Sequence, residues 1–367
     1  MNDISSFIKV PGKLMIAGEY AVLNGGSCVV VAVSRYVEAK ITPSNKNILS
    51  IPKLTKENIN WVYNEKHGID YDYDDSKFLF LKKAMELTLK YIEEKGHIMR
   101  PFHLHISSDL NDHRSNKKYG LGSSAAIVVA VTTSILNFFK ELANTDPIII
   151  FKLSAMAHFI TQGKGSCADI AACVYGGWLH YKTFDPIWLL KNKDLNIQEL
   201  VKEPWPNLVI EAIKPPKDLN LLVGWTNESV GTVPMVDKIM EYKKHSLKQY
   251  KEFMIKSNEA TTALIRAFSE QNLENAMEAL SKNRKALIKL GRDAKVNIET
   301  SKLRIMCDIA DKYGKGKSSG AGGGDCGIAF SLESNKSQII NEWELAQIVA
   351  LDLKVSSSGY MVIDIQD

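Results

Sequence analysis

The chain has 367 residues, is 45% hydrophobic and carries a formal charge of +4, which allows a full core in two domains or one large one and is too little charge to imply nucleic acid as a partner. Five cysteines, Cys28, Cys167, Cys173, Cys307 and Cys326, form no C-x-x-C pair, are odd in number and lie far apart, which argues against a disulfide framework or a zinc site and for a reducing compartment. No apolar run approaches the roughly 18 to 20 residues of a membrane span, and residues 1–7 lack a signal-peptide pattern, so a cytosolic protein without membrane contact is expected.

Taken in chain order, short β-rich runs at 7–10, 13–17, 28–33 and 36–41, split by Gly and Pro, predict strands of a mixed sheet. A helix is expected over 76–94, where Phe78, Leu81, Met85, Leu89 and Ile92 recur at helical spacing before Gly96. Phe102, Leu104 and Ile106 alternate with His103 and His105. That is strand period, and with no third ligand in view the two histidines are read as solvent-facing or satisfied rather than metal-binding. Residues 123–142 are nearly all small and apolar, which predicts a helix buried on most sides that starts at a Gly-Leu-Gly-Ser-Ser turn. A second helix is expected over 147–161, and a third opens around Asp169 and closes at Gly176 and Gly177 before a strand at 178–183. Strands at 208–213 and 221–225 flank Pro215 and Pro216 and mark a domain join, giving domains 1–216 and 217–367. Lys/Glu-rich amphipathic helices follow at about 233–257, 259–270, 273–290 and 298–313. A Gly-rich loop, a strand at 327–332, a helix near 338–345 and a strand at 360–365 complete the chain.

Two segments carry the chemistry most openly. Residues 317–327 read Lys-Ser-Ser-Gly-Ala-Gly-Gly-Gly-Asp-Cys-Gly, with four of the chain's 23 glycines inside 320–324; without a Cβ, such backbone can close its N–H groups on ligand oxygens. Tyr119-Gly120-Leu121-Gly122-Ser123-Ser124-Ala125 leads into the apolar helix, whose N-terminus offers unpaired N–H groups and about half a positive charge to an anion. Of Ser123 and Ser124, one hydroxyl can bond a phosphate oxygen and the other can ligate Mg²⁺; the plain alternative is an N-cap serine on a core helix. The commoner phosphate loops are missing. Gly316-Lys317-Ser318 has Asp311 where a Walker motif needs glycine, the His-Arg-Asp and Asp-Phe-Gly triplets of protein kinases do not occur, and no dinucleotide fingerprint is present.

Residues 11–20, 119–126 and 317–327 resemble, in order and spacing, the three motifs of the GHMP kinases, the superfamily of galactokinase, homoserine kinase, mevalonate kinase and phosphomevalonate kinase. The Gly-Glu-Tyr-Ala-Val run at 18–22, Lys117-Lys118-Tyr119, Gly224-Trp225-Thr226 and the Ser-Gly-Ala-Gly-Gly-Gly-Asp-Cys-Gly run look most like the bacterial phosphomevalonate kinase branch; mevalonate kinases usually show His where Tyr20 stands. The resemblance implies a two-domain α+β fold with an active-site cleft between the domains. Its N-terminal domain would be similar to the second domain of ribosomal S5 and its C-terminal domain ferredoxin-like. ATP and Mg²⁺ would lie along motif two and the acceptor beneath motif three. The implied catalytic residues are Lys13 and Asp169. The implied nucleotide site is Lys118, Tyr119, Gly120, Leu121, Gly122, Ser123, Ser124 and Ala125, with Ser124 also the metal ligand. Implied substrate contacts are Glu19, Tyr20, Lys118, Ser166, Thr232, Ser319, Gly320, Ala321 and Gly322.

The implied partner is a small molecule, 5-phosphomevalonate. A phosphate monoester has its second pKa near ~6, is mostly dianionic at neutral pH and needs no strong base. Cations should then dominate, namely Mg²⁺, Lys13 and one or both of Lys117 and Lys118, with Asp169 read chiefly as the partner holding Lys13 and only secondarily as a proton acceptor. One departure concerns the metal. Mevalonate kinases carry a Mg²⁺-holding glutamate upstream of the catalytic aspartate, whereas 155–165 contains no acid and has His158 near that place. A mevalonate kinase and a non-catalytic nucleotide sensor of the same fold are the alternatives, and retention of both Lys13 and Asp169 weighs against the sensor. A monomer or weak homodimer is expected.

Overall fold

The computed structural model describes residues 6–55, 57–64, 67–112, 115, 117–192, 195–228 and 231–364. The first four expected strands are two long ones. Ser6–Ala17 and Ser27–Pro43 pair antiparallel, with register shifts between Pro11 and Gly12 and between Met15 and Ala17. Pro11 and Gly12 kink the ladder without ending it, because both residues are tolerated at a bulge. Ser27–Pro43 is the spine of the sheet: its second half pairs with Phe102–Ser108 and its first half with Trp178–Lys182, which pairs on with Val209–Ile213. Three strands the pattern did not disclose, Ile48–Ser50, Ile59–Asn64 and Gly68–Tyr71, extend one side, and among the described residues this sheet has nine strands. His103 lies 2.6 Å from Ser50 Oγ, a satisfied role as expected.

Helices Leu79–Glu94, Ser123–Phe138, Pro147–Gln162 and Ala168–Tyr175 pack against this sheet and each other. Ser123–Phe138 buries Val128, Val129, Val131, Ile135 and Leu136 completely, as a helix that is apolar on all sides must when it is enclosed by a sheet and three further helices.

A second, antiparallel sheet has the order Gly314–Ser318, Cys326–Ser331, Asn220–Trp225, Val349–Leu351. The sequence pattern predicts no strand at the first of these, the glycine-rich loop being expected from Lys317. Gly316 is a strand residue through its pairing with Ala329, and it is glycine because helix Ser301–Ala310 lies directly on it: an added Cβ would meet Ala310 Cβ and Cys307 Cα at 2.9 Å. The glycine-rich loop therefore shrinks to 319–325. Among the long helices, the break falls at Ser246, between Thr232–His245 and Leu247–Ser269, and not near Asn258. The polar pair Ser257 and Thr261 sits inside the second of these helices, fully buried, with Thr261 Oγ1 donating to Ser257 O at 2.9 Å. Helices Leu273–Ala294 and Lys336–Leu345 follow the expected pattern.

The last strand, Met361–Asp364, pairs antiparallel with Ser6–Lys9. The end of the chain thus leaves the second sheet and covers an edge of the first, where unpaired backbone would otherwise face solvent. No helix among the described residues is long and apolar enough to cross a membrane, and all five cysteines are free and buried.

Candidate active site

Motifs one and two meet through the backbone. The Lys13 N–H donates to Leu121 O at 2.9 Å. Gly122 stands before helix Ser123–Phe138 in the left-handed region, φ 77°; no side chain caps that helix and its first turn holds no acid. A Cβ on Gly122 would come within 2.9 Å of Lys13 Cε and 3.0 Å of its Cγ. Glycine here both permits the turn and lets the lysine lie across the open N-terminus.

Motif three is stapled onto motif one. Ser319 Oγ donates to Met15 O at 2.9 Å and accepts from the Met15 N–H at 3.1 Å. The Tyr20 hydroxyl donates to Ala321 O at 2.6 Å, and burial with the nearby Glu19 carboxylate pushes that phenol far above its ordinary pKa. Lys317, 0% exposed, ion-pairs with Glu19 and donates to Ser318 O at 2.6 Å. Gly322, φ +78°, passes so close to Ile298 O that a Cβ would sit 2.1 Å from it, which pins the loop from the other side.

These contacts enclose a cleft of about 610 Å³. Of the expected site residues, Lys13, Glu19, Tyr20, Lys118, Gly120, Leu121, Gly122, Ser123, Ser124, Ser166, Asp169, Ser319, Gly320, Ala321 and Gly322 line it. Tyr119 and Ala125 are buried outside that lining. Tyr119 packs edge-on against Trp225 at 4.9 Å, under the Arg35 guanidinium at 4.6 Å, while its hydroxyl donates to Asp112 at 3.1 Å. It is a prop behind motif two, since an aromatic with its polar tip already bonded is filling core. Thr232 opens helix Thr232–His245 between two lining residues, Gly231 and Val233; its side chain falls outside the described residues.

Two expectations about charge change. Lys13 and Asp169 form no ion pair: Asp169 Oδ1 accepts from the Ile170 N–H at 3.1 Å, and Lys13 runs along Gly122 instead. Both still act on Cys173, whose Sγ donates to Pro11 O at 3.1 Å; burial first, then Asp169, raise that thiol's pKa, and Lys13 opposes them. Glu19, 2% exposed, is half committed to Lys317, with Oε2 left unpartnered. Sequence could not show this, because Glu19 and Lys317 are 298 residues apart.

Other lining residues came only with the fold: Phe80, Gln162, Lys164 and Asp325. Lys164 ion-pairs with Asp237 of helix Thr232–His245, a link between the two walls. Asp325, φ 53°, lays its side chain over Gly120. Lys117 reaches Asn227 O at 3.1 Å, while Lys118 joins the lining with no ion pair. For a cation, no cluster of three or more His, Cys, Asp or Glu exists among the described residues. A single serine hydroxyl in an anion-binding cleft suits a hard cation that keeps waters and takes the rest of its oxygens from a phosphate chain.

Residues 80–177 match the GHMP kinases N terminal domain and residues 263–347 the GHMP kinases C terminal domain. The chain belongs to the GHMP kinase family. The phosphomevalonate kinase of Streptomyces is 29% identical over 366 residues, 95% of this chain and 96% of that protein. A Listeria innocua protein of known structure is 36% identical, with TM-score 0.92 over 99% of this chain and 100% of that one. The Streptococcus pneumoniae phosphomevalonate kinase, solved in complex with phosphomevalonate and AMPPNP, is 27% identical with TM-score 0.82 over 95% of this chain and 99% of that one. The two-domain GHMP kinase fold, mixed α+β, accounts for both sheets and for the cleft between them.

Proposed function

We propose that this GHMP kinase transfers the γ-phosphoryl group of ATP to (R)-5-phosphomevalonate, giving (R)-5-diphosphomevalonate in the mevalonate route to isoprenoids, with residues 1–216 and 217–367 as its two domains and the last strand of the second, Met361–Asp364, returned to the sheet of the first. The observation that carries the reading is a cleft in which two lysines without ion pairs, Lys13 and Lys118, flank an uncapped helix N-terminus. The related enzyme solved with phosphomevalonate and AMPPNP supports the same pairing of substrates.

Both substrates are polyanions, so the main task is to offset repulsion between them. The open N–H groups of Ser123 and Ser124 receive phosphate oxygens. Lys13 lies across that helix start and follows charge as it shifts toward the bridging oxygens. Lys118 meets the acceptor phosphate or the nucleotide phosphates bridging to it. Asp169, in the first turn of helix Ala168–Tyr175, faces the same space; it orients the acceptor across the cleft from Lys13, and takes up a proton only where the acceptor still carries one. Glu19, through its unpartnered oxygen, and Ser166 bound the acceptor end. Tyr20, Ser319 and Ala321 shape this wall through the hydrogen bonds they make with motifs one and three. Mg²⁺, when bound beside Ser124, supplies charge neutralisation of the transferring group.

A coupled ADP-release assay over a panel of acceptors tests the reading. Phosphomevalonate should exceed mevalonate in kcat/KM by about a thousandfold or more, because cations placed for a dianion stay unpaired against a hydroxyl. Comparable values for the two would overturn the acceptor assignment.

A further inference from the structure

His158 is a buried imidazole to which the phosphoryl transfer described above gives no task. It sits on helix Pro147–Gln162, is 3% exposed, and lines the cleft beside Ser124. Buried polar atoms are almost always hydrogen-bonded, yet Nδ1 of this ring has no partner and Nε2 has only Ser124 Oγ, at 3.3 Å. That separation is long for a hydroxyl–imidazole hydrogen bond. The ring plane is fixed all the same, by Phe80 stacked against it with centroids 4.8 Å apart and planes inclined by 34°. Neither nitrogen is used to hold the fold, while packing aims the imidazole edge at the hydroxyl at the start of the phosphate-binding helix.

The 3.3 Å spacing is a few tenths of an ångström above that of two adjacent ligands of one ion, since donors about 2.1 to 2.2 Å from an octahedral cation and at right angles to each other are about 3.0 Å apart. We propose that His158 Nε2 is a direct ligand, next to Ser124 Oγ, of the divalent cation that accompanies the nucleotide, and that this nitrogen biases the site toward Co²⁺ relative to Mg²⁺. In the resting protein the Ser124 hydroxyl is the one polar neighbour of Nε2. When a cation is present the hydroxyl turns its proton to a phosphate oxygen, and both lone pairs face the ion. With only these two protein ligands, nucleotide oxygens and water fill the remaining positions. A neutral imidazole favours borderline metals, whereas Mg²⁺ prefers hard oxygen.

The proposal rests on the kinase reading only for the presence of a nucleotide, and its test is independent of phosphoryl transfer. Protein labelled with ¹⁵N-histidine is loaded with Mn²⁺ and unlabelled ADP, and pulsed EPR reads nitrogen coupled to the manganese. A ¹⁵N coupling in the wild type that disappears in His158→Gln is expected; no ¹⁵N coupling, or one that survives the substitution, overturns the proposal. The wild-type spectrum stands even if a variant folds poorly. Calorimetric titration of ADP with Co²⁺ or Mg²⁺ adds a second readout: His158→Glu should lower the ratio of Co²⁺- to Mg²⁺-supported affinity about tenfold or more, since it exchanges nitrogen for anionic oxygen. An unchanged ratio also sinks the idea. An enzyme that phosphorylates phosphomevalonate without the coupling refutes the histidine ligand alone; coupling without that activity refutes the acceptor alone.

Discussion

Two strands bring a lysine to the neighbourhood of the cleft, Lys13 into its lining and Lys317 behind it, and the two are used in opposite ways. Lys317, on Gly314–Ser318, is fully buried and spent on Glu19 and Ser318 O. Lys13, on Ser6–Ala17, is half-buried, has no ion pair and lies along Gly122 at the cleft. A buried cation without a partner would be costly, so Lys317 must keep its carboxylate. A cation left unpaired at the start of an uncapped helix adds to a positive field that only an incoming anion neutralises. Proximity to the site therefore does not mark function. What separates a brace from a working group is whether the protein itself has already satisfied the charge.

The largest effect that would sharpen this contrast is on rate. Lys13→Met should lower kcat by about a thousandfold or more, roughly 4 kcal/mol, while ATP affinity stays within about tenfold and the melting temperature is unchanged. Near-normal kcat in a folded variant would erase the distinction. Lys317→Met should do the reverse, costing about 3 to 5 kcal/mol in chemical denaturation because Glu19 is left charged and buried, and the added change Glu19→Gln should recover part of the loss. A fully stable single variant would show that the pair is no brace. Smaller again, Lys118→Ala should reduce kcat/KM for phosphomevalonate about 10- to 100-fold, the worth of one charge-assisted phosphate contact; an unchanged value would mean this lysine faces only solvent. The least effect is expected at the staple between motifs one and three. Ser319→Ala removes both hydrogen bonds to Met15 and should cost about 1 to 2 kcal/mol of stability, visible as a lowered denaturation midpoint.

Much of the architecture was legible because it is locally encoded. The alternation of Phe102, Leu104 and Ile106, the all-apolar run after Ser123 and the amphipathic stripe of Leu273–Ala294 each carry their own periodicity. What failed were elements whose state depends on a neighbour. Gly314–Ser318 has no strand pattern of its own; it is a strand because Cys326–Ser331 pairs with it and Ser301–Ala310 covers Gly316. Ile48–Ser50 is three residues long and is held between Phe102–Ser108 and Ile59–Asn64. The polar stretch at Ser257 and Asn258 reads as a break between two helices, and burial of Ser257, whose carbonyl accepts from Thr261 Oγ1, lets the helix run on through it.

The site divides along the same line. The Gly-Leu-Gly-Ser-Ser turn before an apolar helix and the glycine cluster at 320–324 are visible in the chain, because backbone that must take positive φ or approach a ligand closely demands glycine whatever surrounds it. The sequence by itself also determined the family and the candidate lysines and aspartate. Only the tertiary structure decided which of those charges are free: that Glu19 belongs half to Lys317, that Lys13 and Asp169 stay apart, and that His158 meets Ser124. Such pairings join residues up to 298 positions apart. Electrostatic and hydrogen-bond partners are set by distances of a few ångströms in space, a quantity that spacing along the chain does not carry.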